Sequence, residues 1–146
     1  DSCKIKKTIV QQDEKEKNLR KVLNLGHTFA HAYEATLRYS KKLNHGEAVI
    51  LGITSAAKFS FKNKFLKIKK YNKIQSHINH LNLPNNLNKF FNKKNINLIL
   101  NFMKSDKKNN STNINLILLK DLGKPIINTN FKIEKIRKFF EKELLN

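Results

Sequence analysis

The sequence has 146 residues and a formal net charge of +19 at pH 7, because 30 lysines and arginines outnumber 11 acidic residues. The length fits one domain, residues 1–146, with a core of its own, and the single cysteine, Cys3, excludes a disulfide framework. The apolar runs are far shorter than the roughly 20 residues of a membrane-spanning helix, and the charged first residues do not resemble a signal peptide. These features predict a cytoplasmic protein.

The positive charge comes almost entirely from lysine. The only arginines are Arg20, Arg38 and Arg137. Nucleic-acid-binding proteins usually recognise bases and phosphates through the bidentate guanidinium group of arginine. The lysines accompany abundant Asn, Ile and Phe, as expected of an AT-rich genome. We therefore expect most of the charge to be dispersed, with part of it serving a small anionic substrate. A basic helical module that binds nucleic acid remains the alternative.

Apolar residues recur at helical spacing through the first half of the chain. This pattern predicts helices over residues 3–12 and 19–37. A third helix begins after Asn44, because Glu47 lies three residues further on and can complete a capping box. The apolar residues of this third helix surround most of its circumference, so we expect it to be buried.

The second half of the chain predicts two helices, a β-hairpin and a closing amphipathic helix. In chain order these elements cover residues 67–81, 95–104, 114–119 paired with 125–127, and 131–145. A polar loop over 105–113 precedes the hairpin, and Asn130 is the predicted cap of the last helix. The predicted fold class is therefore mainly α, with one small β-hairpin.

Histidines are the candidate ligands of a metal or an anion. His27, His31 and Glu34 lie at i, i+4 and i+7, so one helical face could carry all three. His45 lies in the first turn of the third helix, where free N–H groups and the helix dipole favour an anionic ligand. Two histidines and one carboxylate form a common catalytic zinc site, but no carboxylate is clearly dedicated to these histidines. Glu47 is a capping residue rather than a catalytic one.

The histidine motifs resemble the paired signature of the 3-dehydroquinate synthase family. Residues 20–29 read RKVLNLGHTF and precede His31 and Glu34, and residues 43–49 read LNHGEAV and precede Gly52. Further matches extend upstream and downstream, at Lys6, 9–10, 13–16, 103–108, 114–119 and Gly123. The likeness covers nearly the whole chain. It implies the α-helical, metal-binding C-terminal domain of that family, which follows an α/β nucleotide-binding half.

This resemblance implies a lyase reaction of the shikimate pathway, on the route to chorismate and the aromatic amino acids. The family converts 3-deoxy-D-arabino-heptulosonate 7-phosphate to 3-dehydroquinate and phosphate, with NAD and a zinc or cobalt ion. Its two C-terminal histidine ligands match His27 and His45, whereas the third ligand, a glutamate, belongs to the N-terminal half. No Gly-rich nucleotide loop occurs in this sequence. We therefore expect the chain to need that half as a partner and to be inactive alone.

The resemblance also assigns residues to the substrate cleft. It implies catalytic roles for His31, Glu16 and Lys6, and substrate binding by Arg20, Asn24 and Lys107. Lys108 is an alternative to Lys107, because the doublet leaves the register open. The spacing of Arg20, Asn24, His27 and His31 further predicts that one face of the second helix carries all four.

Two questions stay open at this point. A sister cyclase that acts on a related sugar phosphate is a further alternative, because the histidine motifs are shared more widely than the substrate. The oligomeric state, including a homodimer, does not follow from the sequence.

Overall fold

The computed structural model describes residues 1–15, 17, 19–105 and 112–145. Helices dominate it, and their bounds are α1 Ser2–Gln12, α2 His27–Thr36, α3 His45–Lys62, α4 Ile68–His80, α5 Ile96–Ser105 and α6 Ile133–Glu143. Within the described residues, 3-10 helices occupy Leu19–Asn24, Leu87–Lys89 and Lys93–Asn95. Strands β1 (Asn113–Asp121) and β2 (Lys124–Lys132) form one antiparallel hairpin between α5 and α6. The predicted fold class is confirmed. Within the described residues no helix is both long and apolar enough to cross a membrane.

The main core lies between α2, α3, α5, α6 and the inner face of β1. Phe29 of α2 is at its centre, with its ring centroid 6.5 Å from that of Phe59 and 6.1 Å from that of Phe140. Ile114, Leu116 and Leu118 alternate along β1 and are fully buried. Each such side chain contributes about 1.5–3 kcal/mol when it leaves water. This core fixes the beginnings of α2 and α3 beside each other.

The capping box predicted at the start of α3 is present. The Asn44 side chain accepts a hydrogen bond of 2.9 Å from the Glu47 N–H, and the Glu47 carboxylate accepts one of 2.9 Å from the Asn44 N–H. Both bonds satisfy backbone donors that a helix start leaves without intrahelical partners. They also fix the backbone of His45, the first residue of α3.

A single helix over residues 19–37 is not what forms, and that prediction is wrong. The 3-10 helix ends at Asn24, and α2 begins only at His27. Between them Gly26 adopts the left-handed region at φ 79°, which most residues avoid. Its backbone lies against α3, since a Cβ at Gly26 would lie 2.4 Å from the Ile53 nitrogen. The glycine turn therefore redirects the chain.

The last helix begins later than predicted. Asn130 pairs with Asn115 in the hairpin ladder, so it belongs to β2 and does not cap α6. The ladder continues to Lys132, which occupies the N-cap position without a side-chain capping bond. Of the predicted loop over 105–113, Ser105 closes α5 and Asn113 opens β1, while residues 106–111 lie outside the described residues.

Candidate functional site

Three histidines meet where α2 and α3 begin. The ring centroids of His27 and His31 are 5.6 Å apart, and those of His27 and His45 are 6.4 Å apart. His27 is half-buried, whereas His31 and His45 are exposed. The structure thus brings together the three histidines that the sequence singled out, two from one helix and one from the next.

Glu34 places a carboxylate against the histidine cluster. Its Oε1 lies 3.0 Å from Nδ1 of His45, and the side chain of Glu34 is 11% exposed against 66% for His45. The contact joins the third turn of α2 to the first residue of α3. Spacing had placed Glu34 on the face of His27. Only the packing of α2 on α3 shows that its partner is His45.

Burial lowers the pKa of His27 below its ordinary value of 6.5. The Leu25 carbonyl oxygen, 3.4 Å from Nδ1, and the Glu34 carboxylate act in the opposite direction but do not cancel the effect. The imidazole of His27 therefore stays neutral at lower pH than an exposed histidine. Neutral imidazole is the form that binds metal ions.

A cavity of about 340 Å³ lies beside His27 and is rich in cationic groups. Its lining combines Lys6 of α1, Arg20 and Asn24 of the 3-10 helix, and His27. Lys6 and Arg20, two of the cationic residues assigned to the substrate cleft, thus lie beside His27, whereas the third, Lys107, lies outside the described residues. An ammonium, a guanidinium and an amide group that face one space suit an anion carrying hydroxyl groups.

Arg20 is held in place by the segment that precedes it. The Asp13 carboxylate accepts a hydrogen bond of 3.0 Å from the Arg20 N–H and one of 2.8 Å from the Lys17 N–H. Nη1 of Arg20 donates a hydrogen bond of 3.1 Å to the Glu14 carbonyl oxygen. The Asp13 bonds fix the backbone at Arg20, and the Glu14 bond orients the guanidinium group before any ligand arrives, which reduces the entropy lost on binding.

The β-hairpin forms a second wall of the site, which the sequence did not predict. A cavity of about 220 Å³ lies between Asn24, His27 and His31 on one side and Asn115, Ile117 and Asn128 on the other. Lys21 bridges the two sides, because its Nζ donates a hydrogen bond of 3.1 Å to Oδ1 of Asn128. Asn24 and His27 line both cavities, so the two adjoin each other, and together they are called the cleft.

Arg20 and Asn24 reach this cleft differently from the prediction. They belong to the 3-10 helix, whereas His27 and His31 belong to α2, so one helix face does not carry all four. That prediction is wrong because Gly26 breaks the helix. Glu16, Lys107 and Lys108 lie outside the described residues, and their roles remain predictions.

Basic residues also lie away from the histidines. Lys62, Lys135, Lys138 and Lys142 line a separate depression of about 200 Å³ between α3 and α6. The net charge is therefore not confined to the cleft, in line with an excess of lysine that is spread over the surface.

The comparisons with known proteins agree with the motifs. Residues 1–109 match the family described as 3-dehydroquinate synthase C-terminal. The chain is 57% identical over 143 residues to 3-dehydroquinate synthase of Pelagibacter ubique (strain HTCC1062), covering 98% of this chain and 39% of that protein. It is 41% identical over 126 residues to 3-dehydroquinate synthase of Endomicrobium trichonymphae, covering 86% of this chain and 33% of that protein.

Solved structures share the fold. A crystal structure of 2-deoxy-scyllo-inosose synthase superposes with a TM-score of 0.73 at 21% identity, covering 95% of this chain and 38% of that one. A second, complexed with carbaglucose-6-phosphate, NAD+ and Co2+, gives 0.69 at 22% identity, covering 88% and 36%. The chain spans 33–39% of the length of these relatives. By its family match and its relatives, the chain belongs to the 3-dehydroquinate synthase C-terminal family.

Proposed function

We propose that this chain supplies the metal-binding and substrate-binding wall of a 3-dehydroquinate synthase active site. The observation that carries the proposal is the cleft in which Lys6, Arg20 and Asn24 face His27. A phosphorylated sugar acid such as 3-deoxy-D-arabino-heptulosonate 7-phosphate carries a carboxylate, several hydroxyl groups and a phosphate. The cleft offers a complementary group for each of these.

Arg20 is the proposed partner of the substrate carboxylate. Its guanidinium group can donate two parallel hydrogen bonds to the two carboxylate oxygens, and Glu14 and Asp13 hold it in place. The amide group of Asn24, which reaches both cavities, suits hydroxyl groups because it both donates and accepts hydrogen bonds. Lys6 adds a positive charge for a phosphate.

His27 and His45 are the proposed ligands of a Zn2+ or Co2+ ion. The donor set fits such an ion: the two rings are adjacent, burial favours the neutral form of His27, and a carboxylate holds His45. When bound, the ion would polarise the hydroxyl group that is oxidised. Within the described residues no three His, Cys, Asp or Glu side chains are placed to hold a metal ion. A further ligand would come from the N-terminal half of the enzyme.

His31 is the proposed residue for proton transfer. Its exposed ring edges the cavity between α2 and the hairpin, within reach of a ligand there. Imidazole can accept and return a proton near neutral pH, which suits the elimination of phosphate. Glu16 and Lys107 remain further candidates from the family pattern.

NAD is proposed to bind mainly to the partner half. The glycines of this chain are Gly26, Gly46, Gly52 and Gly123, and they do not form the clustered loop that cradles a dinucleotide phosphate. Hydride transfer requires the nicotinamide to be held against the substrate, which this wall cannot do alone.

A sister cyclase is the second candidate, because two solved structures that share the fold are 2-deoxy-scyllo-inosose synthases. Identity favours the first candidate: the chain is 57% identical to a 3-dehydroquinate synthase and 21–22% identical to those synthases. The two candidates differ in the substrate that the same cleft accepts.

The experiment is a chimera in which this chain replaces the corresponding C-terminal part of the Pelagibacter ubique enzyme. With NAD and Zn2+ or Co2+, it should release phosphate from the heptulosonate phosphate, whereas this chain alone should not. A folded chimera without turnover would refute the proposal. Turnover only on a hexose 6-phosphate would support the sister cyclase instead.

A further inference from the structure

Glu34 is a carboxylate that the helix packing has buried at the edge of the histidine cluster. Its side chain is 11% exposed and lies 3.0 Å from Nδ1 of His45, and its charge also acts on His27. Taking a carboxylate out of water is costly unless charged or hydrogen-bonding groups compensate for it. The compensation here comes from imidazole groups, so the burial of Glu34 is tied to the site.

The contact with His45 involves a particular ring nitrogen. Oε1 of Glu34 lies 3.0 Å from Nδ1 of His45, and a carboxylate can only accept a hydrogen bond. Nδ1 therefore carries the proton. In the neutral ring Nε2 then holds the lone pair, which is the arrangement that a metal ligand requires.

Both partners have a fixed backbone. Glu34 lies within α2, and the two residues that precede it, Ala32 and Tyr33, are buried in the core. His45 is held by the capping box of Asn44 and Glu47. The bond therefore locks an otherwise exposed ring in one orientation.

Glu34 is not placed as a ligand itself. Its Oε1 is occupied by Nδ1 of His45, and it does not complete a group of three metal donors among the described residues. Its negative charge nevertheless lies close to His27 and His45, where it would favour a cation.

We propose that Glu34 is a positioning residue: it holds His45 in the Nδ1–H tautomer, presents Nε2 as a metal ligand, and offsets part of the charge of the cation. This inference rests on the proposed function for the metal, but the tautomer does not depend on it. If Glu34 served only to join α2 to α3, its burial would be explained, but its removal would not affect metal binding by Nε2 of His45.

The tautomer is tested on the metal-free 146-residue chain, labelled with ¹⁵N-histidine, at about pH 8.5, where an ordinary imidazole is neutral. Long-range ¹⁵N–¹H spectra distinguish Nδ1–H from Nε2–H, and His45→Gln assigns the signals. We expect Nδ1–H for His45. Glu34→Ala should return His45 to the mixture of tautomers of an exposed histidine. An Nε2–H ring in the unsubstituted chain would overturn the proposal.

The metal effect is tested on the chimera by titration with Co2+, followed by its visible absorption. Glu34→Gln keeps the size of the side chain and should weaken Co2+ binding about 10- to 100-fold. Glu143→Gln is the matched control, because the Glu143 carboxylate is similarly buried, at 13% exposed, but pairs with Lys58 and does not line the cleft; it should leave binding unchanged. Equal affinities for Glu34→Gln and the unsubstituted chimera would refute the positioning role. If His27→Gln and His45→Gln bound Co2+ with the affinity of the unsubstituted chimera, the metal site itself would be refuted. The tautomer result would not be affected.

Discussion

A Cβ added to Gly52 would lie 2.3 Å from the carbonyl oxygen of Gly26, so α2 starts in direct backbone contact with α3. The adjacent Ala30, fully buried, completes this contact, since the same Cβ would lie 3.1 Å from the Ala30 Cβ. The beginnings of the two helices carry His27 and His45. The separation of these two rings therefore depends on the absence of a side chain at residue 52.

Substitution Gly52→Ala tests this contact. The added methyl group overlaps backbone atoms, which cannot move as a flexible side chain does, so the free energy of unfolding should fall by about 1–3 kcal/mol. Urea denaturation followed by circular dichroism measures the change. Gly46→Ala is the control: the nearest contact to an added Cβ there is 3.5 Å away, and its stability should stay within about 1 kcal/mol of the original. Equal stability of the two variants would contradict the close packing.

Arg20→Ala should reduce kcat/KM of the chimera for the heptulosonate phosphate. The loss of a charge-assisted hydrogen bond pair corresponds to about 1.5–3 kcal/mol, or about 10- to 100-fold. Steady-state phosphate release measures it. Arg137→Ala is the matched control, because Arg137 is an α6 residue that donates to Asn97 and does not line the cleft. If both variants lose the same amount, Arg20 is not a specific substrate contact.

The stability of the metal-free chain should fall as the pH drops below 6.5. In the unfolded chain His27 has the ordinary pKa of 6.5, whereas in the folded chain burial lowers its pKa. The unfolded state therefore binds more protons between those two pKa values, and protons favour unfolding there. Urea denaturation between about pH 7 and pH 5 measures the slope.

His27→Gln should make this slope shallower. His77→Gln, which changes an exposed histidine of α4, should leave it unchanged. A slope that is the same with and without His27 would show that this imidazole does not titrate differently on folding.

Tyr33 and Ser55 form a buried hydroxyl pair, 2.7 Å apart, that joins α2 to α3. Burial also raises the pKa of Tyr33 far above its ordinary value, so its hydroxyl remains protonated. Tyr33→Phe should cost about 1–3 kcal/mol of unfolding free energy, because Ser55 loses its partner. In the Tyr33→Phe, Ser55→Ala double variant, the total cost should be less than the sum of the single costs. Additive costs from urea denaturation would show that the two hydroxyls are not coupled.

Much of this protein follows from interactions that are local in the chain. The capping box joins Asn44 to Glu47, three residues apart. In α1, α3, α4 and α5, apolar residues recur every three or four positions. Short-range backbone hydrogen bonds and one-sided apolar patterns determine such elements, so the sequence alone predicts them. The ordered histidine motifs likewise indicate the family and place His27, His31 and His45 among the candidates.

Contacts between residues far apart in the chain decided the rest. The backbone of Gly26, where the helix breaks, packs directly against the backbone of α3. Asn130 belongs to β2 because it pairs with Asn115 of β1. The hairpin wall of the cleft joins Asn128 to Lys21 across 107 positions. Glu34 has a suggestive spacing in the sequence, but its partner exists only because α2 and α3 pack together. Contacts between residues far apart in the chain depend on the shape and charge of surfaces that meet only in the folded protein. Local sequence patterns therefore do not predict them.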